Sequence, residues 1–487
     1  KYPMRFGLRQ LALCLCVFIC ILHVCGADLR TFSVPEADES YRDATNDTSV
    51  MIFKPLGFAN GQYYVEFRLG TQKHPFRLSL DTGSSAMYVV SKTCELENGA
   101  PCRHADGVYG EPASKTVELV KFNKRFCGTK APYIFEGKET CLMRYNYKHN
   151  VWAEGLLTRD YLQLSQFQAP VYFFQSTTVS NDFSSANTDG VWGLAYRDLT
   201  ASGVIPTVFD NIVSHSRHEM ANSFSLCFGD SGGALILGGV NKTLVQEDSM
   251  AYTPIQNETY YIVVLSGMFV SEKSIGMSPV KAIIDSGLPM IYVTDSILDE
   301  MKKSMFDRCS QGQQFSDIPG LCVKGVPLPV TDSIFNTAKW FFMTPDDVAN
   351  YPDIQFEFPG TDGIPFKVNL PPTSYLKNQV VGGSPQYSFG FSTLSVLNNG
   401  TISDATIVLG NMFMRPLYTV FDRTNKRIGF ANSTNCNFSL PPPTLLVDFK
   451  SIALFVAVGI LLIISIVVFA FACYIRRKQY KNTEDVE

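Results

Sequence analysis

Two short stretches of this sequence repeat one pattern, LSLDTGSSAMYV at 78–89 and AIIDSGLPMIYV at 282–293. Each has an apolar segment, then an aspartate (Asp81 or Asp285), a hydroxyl residue, a glycine, and a later Tyr-Val pair. A glycine after the aspartate permits a tight turn. Two such loops can bring their carboxylates together, and two close carboxylates cannot both ionise near neutral pH. One then keeps a proton and acts as an acid, while the other acts as a base on water.

A third Asp-Ser-Gly occurs at Asp230-Ser231-Gly232, without the flanking apolar segments and the later Tyr-Val. Within GDSGG at 229–233 it also matches the pentapeptide around the nucleophilic serine of trypsin-like proteases. That chemistry needs a histidine base beside the serine. None of the 6 histidines lies in the Ala-x-His-Cys setting of those enzymes, so we predict a β-turn here.

Further segments extend the pattern along the chain. In order they are GQYY at 61–64, the Asp81 loop, DGVWGL at 189–194, FSL at 224–226, LILGG at 235–239, the Asp285 loop, YPDI at 351–354, PTSY at 372–375, IVLGNMFMR at 407–415 and VFD at 420–422. With this ordered set the chain resembles the pepsin-like aspartic proteases, from about Leu56 to about Asn437. The resemblance implies a mostly β, bilobal fold with pseudo-twofold symmetry and a cleft between an N-terminal lobe (56–245) and a C-terminal lobe (246–440).

The same resemblance implies an aspartic endopeptidase in which Asp81 and Asp285 share a proton and hold one water. Gly83 and Gly287 form the turns, and Thr82 and Ser286 cross-brace the two loops through their hydroxyls. Ser84 is expected to donate a hydrogen bond to Asp81. This chemistry needs no cofactor and no metal, and no metal-ligand spacing is present in the sequence.

The chain departs from the family at Leu288, where a Ser or Thr usually donates a hydrogen bond to the neighbouring carboxylate. Losing a donor to the charged form disfavours ionisation. We therefore expect higher apparent pKa values for the aspartate pair and activity at less acid pH. A second hypothesis, a pepsin-like membrane protein that binds peptides without cleaving them, stays open on this evidence.

The flap, a hairpin that covers the cleft in the family, is also unusual. The segment EGLLTRD at 154–160 fits its returning strand. Counting back, Tyr147 is the best flap tyrosine and Tyr145 the second choice. The tip would be KHN at 148–150, without glycine. Such a basic tip either favours acidic or polar substrate side chains or is a turn that never contacts substrate.

The ends of the chain predict a membrane-anchored protein. Residues 1–27 have a basic start, an apolar segment and small residues for cleavage, as in a secretory signal peptide with Met4 as the start. Residues 28–55 form either a short propeptide or an N-terminal extension. A stalk (441–451) precedes an apolar stretch (452–475) long enough to span a bilayer. Basic residues at the start of the 476–487 tail place that end in the cytoplasm. The rival interpretation is a GPI-anchor signal, which the charged tail disfavours.

This layout, similar to that of beta-secretase, predicts a type I membrane protein of the secretory or endosomal system or the cell surface. Its partners are then protein or peptide substrates and the lipid bilayer. The net charge of −4 gives no sign of nucleic-acid binding. Six Asn-x-Ser/Thr sequons all precede the apolar stretch, at Asn46, Asn241, Asn257, Asn399, Asn432 and Asn437.

The predicted body contains an even number of cysteines, as expected in an oxidising compartment. Many pairings are possible in principle. Short separations favour Cys94–Cys102, Cys127–Cys141 and Cys309–Cys322, which leaves Cys227 with Cys436. The first of these resembles a small loop bridge common in the family.

Overall fold

The computed structural model describes residues 50–59, 61–71, 75–102, 109–110, 113–127, 133–135, 138–148, 151–164, 167–181, 183, 188–200, 203–216, 219–397, 407–438, 440, 463, 466–468, 470–472 and 474–475. The chain divides into two compact units, 1–440 and 441–487. The elements and sites discussed below all belong to the first unit.

The first unit is mostly β. Its described strands are β1 Ile52–Ala59, β2 Gln62–Leu69, β3 Phe76–Asp81, β4 Met87–Leu96, β5 Glu118–Leu119, β6 Tyr133–Phe135, β7 Lys138–Thr140, β8 Leu142–Lys148, β9 Val151–Gln163, β10 Gln168–Val179, β11 Gly190–Gly193, β12 Ser223–Phe228, β13 Gly232–Leu237, β14 Ala251–Pro254, β15 Ile262–Leu265, β16 Gly267–Val270, β17 Lys273–Ser274, β18 Val280–Ile284, β19 Ile291–Val293, β20 Cys322–Val323, β21 Val326–Pro327, β22 Phe341–Phe342, β23 Ile354–Phe358, β24 Phe366–Leu370, β25 Leu376–Val381, β26 Ser384–Phe389, β27 Phe391–Thr393, β28 Ile407–Leu409, β29 Leu417–Asp422 and β30 Arg427–Asn432.

The helices are short and lie between strands. They are α1 Lys124–Cys127, α2 Val208–His215, α3 Asp295–Phe306, α4 Pro345–Ala349, α5 Pro372–Tyr375 and α6 Asn411–Met414, with 3₁₀ turns at Arg197–Leu199, Lys242–Leu244, Asp307–Ser310, Gln313–Phe315, Val330–Asp332 and Leu394–Val396. Threonine hydroxyls cap three of the helices, because an N-cap oxygen satisfies a free backbone N–H of the first turn. Thr207 caps α2, Thr294 caps α3 and Thr344 caps α4.

A 14-stranded sheet joins distant parts of the chain, in the order β14-β30-β29-β12-β13-β1-β2-β3-β11-β4-β10-β9-β5 with β8 paired to β9. Strands from both sides of the predicted boundary between Val245 and Gln246 therefore share this sheet. A disulfide between Cys227 and Cys436 links β12 to the chain after β30. The structure also pairs Cys94 with Cys102, Cys127 with Cys141 and Cys309 with Cys322.

The two aspartate loops have matching sheet surroundings. β3 ends at Asp81 and pairs in parallel with β11, which pairs antiparallel with β4. β18 ends one residue before Asp285 and pairs in parallel with β28, which pairs antiparallel with β19. Each loop therefore emerges from the same three-strand arrangement. Apolar side chains beneath them, including the fully buried Trp192, hold the strands in place.

Several predicted segments lie wholly or mainly outside the described residues. They are the signal peptide, most of the 28–55 segment, the flap-tip residues His149 and Asn150, the sequons at Asn46 and Asn399, the stalk and the cytoplasmic tail. The predicted span is described only at the few residues given above. A search of the described residues found no helix with the length and apolar character needed to cross a membrane.

Candidate active site

Asp81 and Asp285 lie side by side, with 7% and 8% of their surfaces exposed. Their approach leaves no room for side chains at the two neighbouring glycines. A methyl group at Gly83 would collide with the carboxylate of Asp285, and one at Gly287 would collide with the carboxylate of Asp81. The carboxyl groups are also hydrogen-bonded to each other. Glycine is thus required here by close approach rather than by an unusual backbone angle.

Four buried hydrogen bonds cross between the two loops through Thr82 and Ser286. Thr82 Oγ1 donates to the carbonyl oxygen of Ile284 at 2.8 Å and accepts from the backbone N–H of Ser286 at 2.9 Å. Ser286 Oγ donates to the carbonyl oxygen of Leu80 at 2.9 Å and accepts from the backbone N–H of Thr82 at 3.0 Å. Each hydroxyl therefore satisfies one buried donor and one buried acceptor, which fixes the distance between the aspartates.

The two carboxyl groups receive different hydrogen bonds. Asp81 Oδ1 accepts from the backbone N–H of Gly83 at 2.9 Å, and Asp81 Oδ2 accepts from Ser84 Oγ at 2.5 Å. Asp285 Oδ1 accepts from the backbone N–H of Gly287 at 2.8 Å. Leu288 occupies the position equivalent to Ser84 and packs in an apolar cluster instead. Asp285 consequently has no side-chain hydroxyl donor at this position.

These differences in hydrogen bonding give the two carboxyl groups different tendencies to ionise. Burial raises the pKa of Asp81, while the hydrogen bonds from Ser84 and Gly83 oppose that rise. Burial raises the pKa of Asp285 well above its usual range, and the negative charge of Asp81 adds to the effect. The two groups titrate as a unit, since they share a hydrogen bond. The arrangement favours a single negative charge on the Asp81 side and a proton on Asp285.

The flap hairpin β8–β9 brings both candidate tyrosines toward the Asp81 loop. Burial and then the charge of Asp81 raise the pKa of Tyr145, and the nearby backbone N–H of Ser85 opposes that rise. The ring of Tyr147 packs against Tyr88 and Phe183, with centroid distances of 6.2 and 5.6 Å. Its hydroxyl is buried and has no hydrogen-bond partner among the described residues. Of the two, the second choice, Tyr145, is therefore the one whose hydroxyl lies near a backbone N–H of the Asp81 loop.

The sequence pattern includes Tyr88 and Tyr292 in its two Tyr-Val pairs, but it assigned no role to either tyrosine. The ring of Tyr88 stacks on Phe174 and lies beside both flap tyrosines. Burial and the charge of Asp285 raise the pKa of Tyr292 to about 12. Their positions in the sequence could have indicated a shared role, because each tyrosine follows its aspartate by the same interval in the repeated pattern. Tyr292 therefore lies near Asp285, and Tyr88 packs against the flap tyrosines.

The third Asp-Ser-Gly forms a turn, in which the N–H of Gly229 donates to the carbonyl oxygen of Gly232 at 2.8 Å. Its exposed Asp230 pairs with Arg415 at 2.6 Å. Among the described residues, no group of three or more His, Cys, Asp or Glu side chains could hold a metal ion.

Comparison with known proteins agrees with this geometry. The sequence model of the family "Eukaryotic aspartyl protease" matches residues 62–433. Pepsin-2B of Gadus morhua is 27% identical over 379 residues, which cover 77% of this chain and 96% of that protein. Pepsin A of Gallus gallus is 23% identical over 404 residues, covering 81% and 88% of the two chains. Cathepsin D of Dictyostelium discoideum is 24% identical over 387 residues, covering 77% and 84%.

Proposed function

Because this chain belongs to the eukaryotic aspartyl protease family, we propose that it hydrolyses peptide bonds with a water held between Asp81 and Asp285. The predicted class, a pepsin-like aspartic endopeptidase, is confirmed by the family match and by the similarity to pepsins and cathepsin D. The observation that supports catalysis by this chain is the intact pair of carboxyl groups, held by four crossed hydrogen bonds through Thr82 and Ser286.

The unequal environments of the two aspartates assign the starting protonation state. Asp81, stabilised as an anion by Gly83 and Ser84, takes a proton from the water as its oxygen attacks the scissile carbonyl carbon. Asp285 donates its proton to the carbonyl oxygen, so that a neutral gem-diol forms. Asp81 then protonates the amide nitrogen, and Asp285 takes back a proton from a gem-diol hydroxyl as the C–N bond breaks. The pair returns to its original state without a covalent intermediate.

The flap hairpin lies beside the loop that carries the proposed base. A small cavity of about 20 Å³ next to that loop is lined by aromatic and aliphatic side chains, including Tyr88, Met143, Tyr145, Phe174 and Ile205. It has room for about one water. The hydroxyl of Tyr145 lies near the backbone N–H of Ser85, which follows the proposed base in the same loop.

The test uses the full chain, purified and assayed on a mixed peptide library from acid to neutral pH, beside the variant Asp285→Asn. We expect cleavage by the parent, loss of cleavage in the variant, and inhibition by a statine-type transition-state analogue. Asparagine has nearly the same shape as aspartate but cannot carry the shared proton. Absence of cleavage at every pH by folded protein would instead favour the peptide-binding function, for which the missing donor at Leu288 is the supporting observation.

We also propose a type I membrane protein with a lumenal or extracellular body. Four disulfides in the described body suit an oxidising compartment. Three of the described sequon asparagines, Asn257, Asn432 and Asn437, are exposed as glycosylation requires. The apolar stretch 452–475 followed by basic residues supports the anchor, with 1–27 as a signal peptide, 28–55 as a propeptide or extension, and lobes at 56–245 and 246–440.

Anchoring is tested by extracting membranes of expressing cells with alkaline carbonate. A spanning protein stays in the pellet, and a chain truncated before Pro441 should appear in the medium. Release of the full-length chain by carbonate, or by a phospholipase that cleaves lipid anchors, would exclude a membrane span. Deglycosylation with an N-glycosidase on the same samples reports whether the body entered the secretory pathway.

A further inference from the structure

Lys377 is a half-buried cation with no counter-ion in the part of the chain that the structure describes. It lies in β25, with its Nζ 4.0 Å from Met290 Sδ and 5.6 Å from the ring centroid of Trp340. Among the described residues no carboxylate approaches it, and burial alone accounts for the lowered pKa of its ammonium group. Partial removal of a charge from water is unfavourable unless a partner of opposite charge compensates. A partner of that kind could come from a bound molecule.

The position of Lys377 relates it to the aspartate pair. Met290, which it contacts, lies five residues after Asp285 in the sequence. Met290 packs against the apolar cluster that contains Leu288 and Tyr292. Tyr292 is close enough to Asp285 for that carboxylate to raise its pKa. Met290 therefore contacts both the ammonium group and the apolar cluster that contains Leu288 and Tyr292.

The side chain of Lys377 also lies on one face of a three-stranded sheet, which extends from Lys377 in the direction away from Met290. In the three-stranded sheet β22-β26-β25, Phe342 is paired with Gln386, and Gln386 is paired with Gln379. Gln379 is two residues after Lys377, so the two side chains share a face of the strand. Phe342 is 61% exposed, and the amides of Gln379 and Gln386 hydrogen-bond each other at 3.0 Å. This face offers a cation, an exposed aromatic ring and neutral amides to an extended peptide.

We propose that Lys377 determines specificity by binding the carboxylate of an aspartate or glutamate in the substrate, a few residues from the scissile bond. The inference rests on the proposed proteolytic function and adds a substrate class to it. The carboxylate replaces water around the ammonium group and supplies the missing counter-charge. The competing explanation is that the lysine stem only packs on Trp340 and Met290 while its ammonium group remains in water.

The experiment compares matched substrates that differ only by Glu, Gln or Lys at one position, placed in turn at each position around the cleaved bond. At one position we expect the parent full-length chain to cleave the Glu peptide with about tenfold higher kcat/KM, as for a hydrogen bond to a charged group. Lys377→Met should abolish that preference, and Lys377→Glu should reverse it toward a Lys peptide. Lys377→Arg keeps the charge and should retain the preference.

The matched control is Lys367→Glu, because Lys367 also lies over an aromatic ring, at 3.5 Å from the centroid of Phe269. It belongs to β24, in a different sheet. The control reports any general effect of reversing one charge, and its preference should equal that of the parent. A Glu preference that is absent in the parent, or unchanged in Lys377→Met, would overturn the inference.

Binding separates this inference from the proposed function. Statine-type ligands carrying Glu or Gln at the same positions are titrated against the parent and against Lys377→Met, which needs no catalysis. Tighter binding of a Glu ligand that disappears in Lys377→Met supports the role of Lys377 even if no peptide is cleaved, in which case only the proteolytic function fails. Equal affinity of the parent for the Glu and Gln ligands contradicts the inference, whatever the outcome of the cleavage assay.

Discussion

Replacing Leu288 with threonine should shift the pH dependence of catalysis to lower pH. Leu288 follows Asp285 by the same interval as Ser84 follows Asp81, and Ser84 Oγ lies 2.5 Å from a carboxylate oxygen of Asp81. A hydroxyl at position 288 would therefore be placed to donate to Asp285. Such a donor stabilises the charged form of Asp285, whose pKa burial and the charge of Asp81 now raise.

The magnitude follows from the strength of that hydrogen bond. A hydrogen bond to a charged group contributes roughly 1.5–3 kcal/mol, which corresponds to about 1–2 pKa units. In the proposed mechanism the proton on Asp285 is required, so its loss sets the alkaline limb of the pH–rate profile. We expect the alkaline limb to move down by about one unit or more, and the acid limb to follow to a smaller extent because the pair titrates together.

The control is Leu288→Val, because valine has the shape of threonine but cannot donate. Both variants lose apolar volume at a position that is 8% exposed, and each should lose about 1–3 kcal/mol of unfolding free energy. The assay is kcat and kcat/KM against pH for the parent and both variants, with thermal unfolding measured alongside. If the threonine and valine profiles coincide in both limbs, the missing donor does not control the acidity of the pair and the reasoning is refuted.

The other predictions concern the pair, the brace and the flap. Because the folded-state pKa of Asp285 is raised, its proton contributes stability that is fully present below the unfolded-state pKa and is lost as pH rises through the folded-state pKa. In that window the contribution of Asp285 to the unfolding free energy should fall by up to about 1.4 kcal/mol per pH unit, so the slope should be more negative in the parent than in Asp285→Asn. Denaturant titrations at several pH values measure this, and equal slopes would contradict it. Thr82→Val removes a buried hydroxyl that bonds two backbone groups, so it should lower the unfolding free energy by roughly 2–4 kcal/mol. It should also reduce kcat more than it raises KM. An unchanged kcat would show that the hydrogen bonds of Thr82 do not position the aspartates. Tyr147→Phe deletes a buried hydroxyl without a described partner and should leave the thermal midpoint equal or higher. Tyr145→Phe removes the hydroxyl that lies near the Ser85 N–H and should lower kcat/KM more than Tyr147→Phe does, by up to about tenfold. A larger loss of kcat/KM in Tyr147→Phe would assign the flap role to Tyr147.

Part of this site could be predicted from the sequence because the residues that form it are close together in the chain. The Asp-Thr-Gly and Asp-Ser-Gly turns are set by a few consecutive residues, and their duplication in similar contexts indicated that two loops meet. Glycine and small hydroxyl residues tolerate the close approach that the structure requires at Gly83 and Gly287. The absence of a donor at Leu288 was likewise visible, because it depends only on the interval from Asp285.

The flap tyrosine is a residue that the sequence alone could not identify. Tyr145 and Tyr147 lie two residues apart in one strand, so both side chains point to the same face and counting residues cannot choose between them. The choice depends on which hydroxyl lies near a donor in another part of the chain, and in the structure the Ser85 N–H lies near the hydroxyl of Tyr145. The unusual tip adds to the ambiguity, since no glycine marks the turn.

The sequence by itself determined the class of protein and predicted the two aspartates and the hydroxyls beside them as its site, since these depend on motifs whose residues are neighbours in the chain. Only the tertiary structure decided the different surroundings of Asp81 and Asp285, the sharing of one large sheet by strands from both ends of the body, and the placement of Lys377 against Met290. Each of these depends on burial and on contacts between residues far apart in sequence. Such contacts arise only when the strands pack, because neither a local turn nor a hydrophobic pattern specifies which distant side chain will be its neighbour.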